Sequence, residues 1–151
     1  MPKFPPRLVI ALCVCFAGPV HAADLIIDGG FEKKQDGFWA TGGVALSRER
    51  GRLCADIEAG GQPWERLLGV NDLDLAAGQS YRLTMVLEAK GSHGFPIQIQ
   101  RNVEPWTPQA TFSAATAAKK TEFSAVFKAS EADPAQMIFQ LGGAENPWRL
   151  C

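Results

Sequence analysis

The chain has 151 residues and a net charge of −1, which sets an expectation of one domain. With 46% hydrophobic and 21% charged residues it has the composition of a globular protein, which excludes a disordered chain. The even charge balance, with no long block of one sign, argues against a nucleic-acid partner and against a polybasic membrane patch.

The N-terminus reads as a targeting segment. Lys3 and Arg7 precede an unbroken apolar run from Leu8 to Ala17, and Val20-His21-Ala22 places small residues where a signal peptidase cuts. The run is shorter than the about 20 residues a membrane-spanning helix needs. Pro2, Pro5, Pro6 and Pro19 argue against a buried N-terminal helix. Residues 1–22 are therefore expected to be a secretory signal peptide and 23–151 the exported domain, extracellular or periplasmic. Cys13 and Cys15 leave with the leader, and Cys54 and Cys151 remain. Two cysteines in an exported domain pair more often than not, the alternative being two free thiols.

Strand signals follow in chain order. Short strands are expected at Leu25–Ile27, Phe38–Leu46, Leu53–Glu58 and Arg66–Val70. From Ser80 to Ala89, Tyr81, Leu83, Met85 and Leu87 share one face, while Arg82, Thr84 and Glu88 take the other. Ile97 and Ile99 alternate with Gln98 and Gln100. Phe123, Ala125 and Phe127 alternate with Glu122, Ser124 and Lys128. Met137, Phe139 and Leu141 alternate with Gln136, Ile138 and Gln140. Gly60-Gly61, Ala77-Gly78-Gln79, Gly91 to Gly94 and Gly142-Gly143 break these runs. No stretch has a capped apolar stripe of helical period. Many short strands between turns predict an all-β protein, a two-sheet β-sandwich of jelly-roll type.

Little in the exported part points to catalysis. Its single histidine, His93, lies in a Gly-rich turn and reads as a solvated turn residue, which excludes a two-histidine metal motif. There is no Gly-x-Ser-x-Gly elbow, no P-loop and no Gly-x-Gly-x-x-Gly. A glycosidase needs only two carboxylates, but most acidic residues fall at turns or on outward strand positions, where they read as solvated surface. The amides carry more information. Asn71, Gln98, Gln100, Asn102, Gln136 and Gln140 include four outward members of alternating strands. An amide donates and accepts at once, which suits sugar hydroxyls, and an exposed Trp106 could stack on a pyranose ring.

A family resemblance strengthens that reading. Leu25-Ile-Ile-Asp-Gly-Gly-Phe-Glu32 with Asp36-Gly-Phe-Trp39 resembles the opening of carbohydrate-binding modules of family 4, within the 4/9/22 group. Gly51-Arg-Leu-Cys54, Leu75 to Leu83, Asn102 to Pro108, Phe139 to Gly143 and Trp148-Arg-Leu-Cys151 continue it in order. The similarity is greatest to the cellulose-binding domains found beside endoglucanases. It implies a jelly roll whose concave sheet binds a single chain of β-glucan, such as amorphous cellulose or mixed-linkage glucan, or of xylan, without catalysing its cleavage. The implied cleft amides are Asn71, Asn102, Gln136 and Gln140, with Trp106 in place of a stacking tyrosine and Gln98, Gln100 and Arg101 as neighbours. A second stacking tyrosine of the family aligns with Thr41. Trp39, two residues earlier and of the same strand parity, is its substitute or else a core residue. A family arginine aligns near Pro96, so that contact is expected to be lost. Trp64 is a candidate rim platform, and Trp148 a structural residue beside the disulfide.

Relatives continue past the second cysteine into a Leu-Asp-Asp-Val strand, so the domain is expected to be C-terminally truncated, leaving a sheet edge unpaired. The family's structural calcium uses backbone oxygens at positions matching Gly30 and Gly51 and an aspartate of that further strand, so with the strand missing no calcium is expected. No other cofactor is expected. The expected partner is a polysaccharide, with no nucleic acid or membrane, and the chain is expected to be a monomer. Two other classes of function compete. A small secreted glycoside hydrolase or polysaccharide lyase requires two converging carboxylates, and a protein-binding jelly roll requires a face lined with aliphatic side chains.

Overall fold

Period-2 alternation builds nearly every element of the chain. The computed structural model describes residues 25–26, 30–31, 37–132 and 134–151. The strands are β1 (Phe38–Ala40), β2 (Val44–Arg48), β3 (Leu53–Ile57), β4 (Leu67–Asp74), β5 (Ser80–Leu87), β6 (Gly94–Arg101), β7 (Pro108–Ala115), β8 (Thr121–Lys128), β9 (Pro134–Gln140) and β10 (Trp148–Leu150). The one helical element among the described residues is a short 3-10 turn, Pro63–Glu65.

One layer is a five-stranded antiparallel sheet in the order β1-β4-β9-β6-β7. The other contains β10-β3-β2 and the pair β5-β8. These two parts are joined where Glu88 and Cys151 exchange backbone hydrogen bonds of 2.8 and 2.9 Å, beside a bridge between Ala89 and Leu150. Between the layers lie Leu68, Val70, Leu73, Phe95, Ile97, Ile99, Met137 and Phe139 of the first, packed with Leu53, Ala55, Ile57, Leu83, Leu87, Trp148 and Leu150 of the second. The protein is an all-β sandwich, as the alternation predicts.

The second layer is closed by a disulfide. Cys54 and Cys151 are bonded, with Cα atoms 4.1 Å apart across 97 positions of sequence. Arg149 of β10 holds Asp56 at 3.1 Å, Ser47 at 3.2 Å, and Glu49. That hydrogen bond to Glu49, aided by the nearby charge of Asp56 and opposed by desolvation, raises the Arg149 pKa above its ordinary value.

Several expectations need correction. The stretch Phe38–Leu46 is two strands, not one. Gly42 and Gly43 turn the chain from the first layer to the second, and Gly43 has a left-handed φ of 79°. Leu25 and Ile26 form a bend rather than a strand, and Ile27 lies outside the described residues, as does the leader 1–22. Strands β7 and β10 were not foreseen: β7 is mostly Ala, Ser and Thr, and β10 has only three residues. His93 is not a freely solvated turn residue. Its ring stacks on Trp148 at 4.2 Å between centroids, 10° from parallel. Trp148 is buried and structural, as expected.

Candidate functional site

The outer face of the five-stranded sheet gathers the amides. Core residues take every second position of β4, β9 and β6, so the residues between them point outward. Register then sets them side by side. Trp39 pairs with Gly69, Gly69 with Ile138, Ile138 with Gln98 and Gln98 with Thr111, one row across all five strands. At about 4.8 Å per strand the row is roughly 19 Å long. To one side Gln140 pairs with Leu67, and to the other Gln136 pairs with Gln100. Gln140 donates to the Gln98 side-chain oxygen at 3.1 Å, linking neighbouring rows diagonally. Gln100 and Gln136 are 8% and 6% exposed, so that end of the face is tightly set. Ile138 is buried yet outside the main core cluster, an apolar floor on the outer side of the sheet.

Trp39 belongs to this face and not to the core. Gly69 lies between the core residues Leu68 and Val70, so a Cβ on it would point outward, and that Cβ would sit 2.3 Å from Trp39 Cζ2. The indole Nε1–H donates to Asn71 Oδ1 at 2.6 Å. Thr41, where an aromatic was sought, instead clamps backbone. Its hydroxyl accepts from Leu67 N at 2.8 Å and donates to Glu65 O at 3.2 Å.

A β-bulge shapes the other end. Between Val70–Met137 and Leu73–Ala135 the register shifts, so Asn71 and Asp72 together oppose Gln136. Asp72 takes a φ of 58°, a conformation aspartate tolerates better than most residues. The extra residue returns Leu73 and Leu75 to the core side after Leu68 and Val70. Asn102 donates from its side chain to Asp72 Oδ1 at 3.2 Å and from its backbone to Pro134 O at 3.0 Å. The β6–β7 loop is thereby fixed at this end of the face. Trp106 sits in that loop, 45% exposed and outside the core cluster. Trp64, 61% exposed on the 3-10 turn before Leu67, stands toward the opposite end.

The structure brings Trp39, Asn71, Gln98, Gln100, Gln136 and Gln140 to one face, with Asn102 and the Trp106 loop at one end; the sequence left Trp39 open between this face and the core. Arg101 does not join them. It pairs with Ala135 in register, which gives it the parity of the core face, and its Nε lies 3.5 Å from Glu131 Oε2. Gly69 was missed; its signal is a glycine inside an apolar strand pattern, the mark of a close approach. Gly30 and Gly51 do lie together, the Gly30 carbonyl being 3.3 Å from where a Gly51 Cβ would be. No group of three or more metal-binding side chains occurs among the described residues. The Gly30 and Gly51 backbone is the part of the implied calcium site that the described residues bring together.

Two hollows of the molecule lie elsewhere. One of about 1200 Å³ covers the outer side of β2, β3 and β10, lined by Glu49, Asp56, Glu58 and Arg149, and contains none of the amides. The amide row, roughly 19 Å long at about 4.8 Å per strand, has the length to lie against several units of an extended chain.

A β-sandwich with an amide-and-indole face has the form of a carbohydrate-binding protein. The carbohydrate binding domain family CBM_4_9 matches residues 23–147, and the chain belongs to it. Among solved structures it is similar to the N-terminal cellulose-binding domain of β-1,4-glucanase C from Cellulomonas fimi, at 25% identity and a TM-score of 0.72, covering 85% of this chain and 92% of that one. A CBM4 structure matches at 26% identity and a TM-score of 0.69, covering 76% and 89%. The CBM22-1 xylan-binding domain of Xyn10C from Paenibacillus barcinonensis shares the fold at 11% identity and a TM-score of 0.55, covering 81% and 86%. A search of curated proteins finds no match.

Proposed function

We propose that the protein is a secreted, monomeric, non-catalytic module that binds a single β-glucan or xylan chain along the outer face of its five-stranded sheet. It serves to hold a glycoside hydrolase activity at its polysaccharide. One observation carries this reading: Trp39 lies on the same face as Gln98, Gln100, Gln136 and Gln140, with Asn102 and the Trp106 loop at its end. An indole covers the apolar face of a pyranose, and amides exchange hydrogen bonds with its equatorial hydroxyls. The Cellulomonas relative is named a cellulose-binding domain, which favours a β-1,4-glucan over xylan.

Each sugar–amide hydrogen bond replaces bonds to water and gains only about 0.5–1.5 kcal/mol. Affinity should therefore fall between about −4 and −8 kcal/mol, millimolar to micromolar. Affinity electrophoresis through gels containing hydroxyethylcellulose, barley β-glucan, laminarin or xylan tests the reading. Retardation by at least one β-glucan or xylan is expected. Unchanged mobility in all four gels would overturn it.

A further inference from the structure

We propose that Gly69 and Asn71 are positioning residues for Trp39, holding its indole face-down on the sheet as a preformed platform for one sugar ring. The proposal rests on the reading of this face as a glycan-binding face.

The argument starts from the glycine. Gly69 occupies the interior of β4, where glycine is less stable than alanine by roughly 0.5–1 kcal/mol. Its backbone is not in the left-handed region, so conformation does not require it. Space does. A Cβ there would lie 2.3 Å from Trp39 Cζ2, 2.6 Å from Cε2 and 2.9 Å from Cη2. The two carbons flanking Cζ2 are nearly as close as Cζ2 itself. An edge-on ring would hold them distinctly farther away, so the indole meets the backbone face-on. Its other face points away from the sheet.

Asn71 supplies the second restraint. Its side-chain oxygen accepts the indole N–H at 2.6 Å. That bond fixes the ring's rotation and satisfies its polar edge before any ligand arrives. It also sets which way the amide points, because the oxygen must face the indole. Asn71 lies two positions after Gly69, the register partner of Trp39, so strand parity puts it on the same face and within this reach. A platform ordered in the free protein loses little side-chain freedom on binding.

The four tryptophans give four indole N–H signals in a ¹H–¹⁵N spectrum, and Trp39→Phe identifies the relevant one. In the free wild-type chain that signal should exchange slowly with solvent. Asn71→Leu should make it exchange fast and weaken binding of cellohexaose or xylohexaose, whichever the wild type takes, by about 10- to 30-fold. Asn71→Asp keeps an acceptor oxygen and should rescue both. Gly69→Ala should shift the signal and weaken binding similarly, yet cost nothing further in a Trp39→Ala background. Thermal melts verify that each variant folds.

The alternatives read differently. If Asn71→Asp restores the protected indole but not binding, Asn71 contacts the sugar directly and its positioning role is overturned. A wild-type Trp39 indole that exchanges freely, or additive losses from Gly69→Ala and Trp39→Ala, would overturn the platform. If the wild type binds neither hexasaccharide and is retarded by none of the four polysaccharides, the glycan-face reading fails together with the platform's purpose, whereas the indole signal still decides the restraint on Trp39.

Discussion

At the scale of single residues, two large side chains differ in what they hold. Trp106 is 45% exposed and outside the core, whereas Ile97 is 0% exposed at the centre of β6. Stacking a sugar on Trp106 removes ~80 Å² of apolar surface from water, about 2 kcal/mol at 25 cal/mol per Å². Trp106→Ala is therefore expected to weaken glucan binding about 10- to 30-fold with an unchanged melting temperature, as measured by calorimetry and thermal denaturation. Ile97→Ala should do the reverse. It leaves a cavity between the layers and should lower unfolding free energy by about 2–5 kcal/mol in urea titrations, with binding retained wherever the chain is folded.

At the scale of elements, β4 and β10 carry the most consequence. The bulge in β4 keeps Leu73 and Leu75 in the core, and Asn71 at its start accepts the Trp39 indole N–H. Strand β10 is short, but it is held by pairing with β3, by the Cys54–Cys151 bond and by the Glu88–Cys151 backbone bonds. The disulfide closes a loop of 97 positions, for which chain entropy allows up to about 4.7 kcal/mol. Cys54→Ser with Cys151→Ser should lower the unfolding free energy by about 2–5 kcal/mol in denaturant titrations, the native-disulfide range. Glucan affinity should change little, because both cysteines belong to the layer opposite the amide face.

At the scale of the whole molecule, the amide face carries few charges, Asp72 beside Asn102 among them. The ion pairs Arg52–Glu88 and Arg149–Asp56 lie on or beside the second layer, exposed enough that each contributes little to stability. The residues proposed to contact the glycan are amides and indoles, which do not titrate, while Asp72 serves to hold Asn102. Binding measured by calorimetry should therefore be flat from about pH 5 to 9 and insensitive to added salt. A steep loss toward acid would mean that a carboxylate takes part. In the same spirit, incubation with β-glucan or xylan should release no reducing sugar. Turnover abolished by a single carboxylate substitution would favour the hydrolase or lyase reading instead.

Much of this was legible before any coordinates. Alternation in Ser80–Leu87, Gly94–Arg101, Thr121–Lys128 and Pro134–Gln140 determined strands, and it also determined that Gln98, Gln100, Gln136 and Gln140 point away from the core. Side-chain period in a strand is local, so sequence suffices for it. The amide pattern also gave Asn71, Asn102 and Trp106, and family motifs added Trp39, Trp64 and Arg101. Pairing and register, however, join positions far apart in the chain, and only tertiary structure decided them. They set Trp39 on Gly69 and stacked His93 on Trp148. They also split Phe38–Leu46 between two layers, a step the apolar pattern conceals because both halves keep the same alternation. The sequence alone determined which residues face outward; the sheet order decided which of them meet, because that depends on contacts no local pattern encodes.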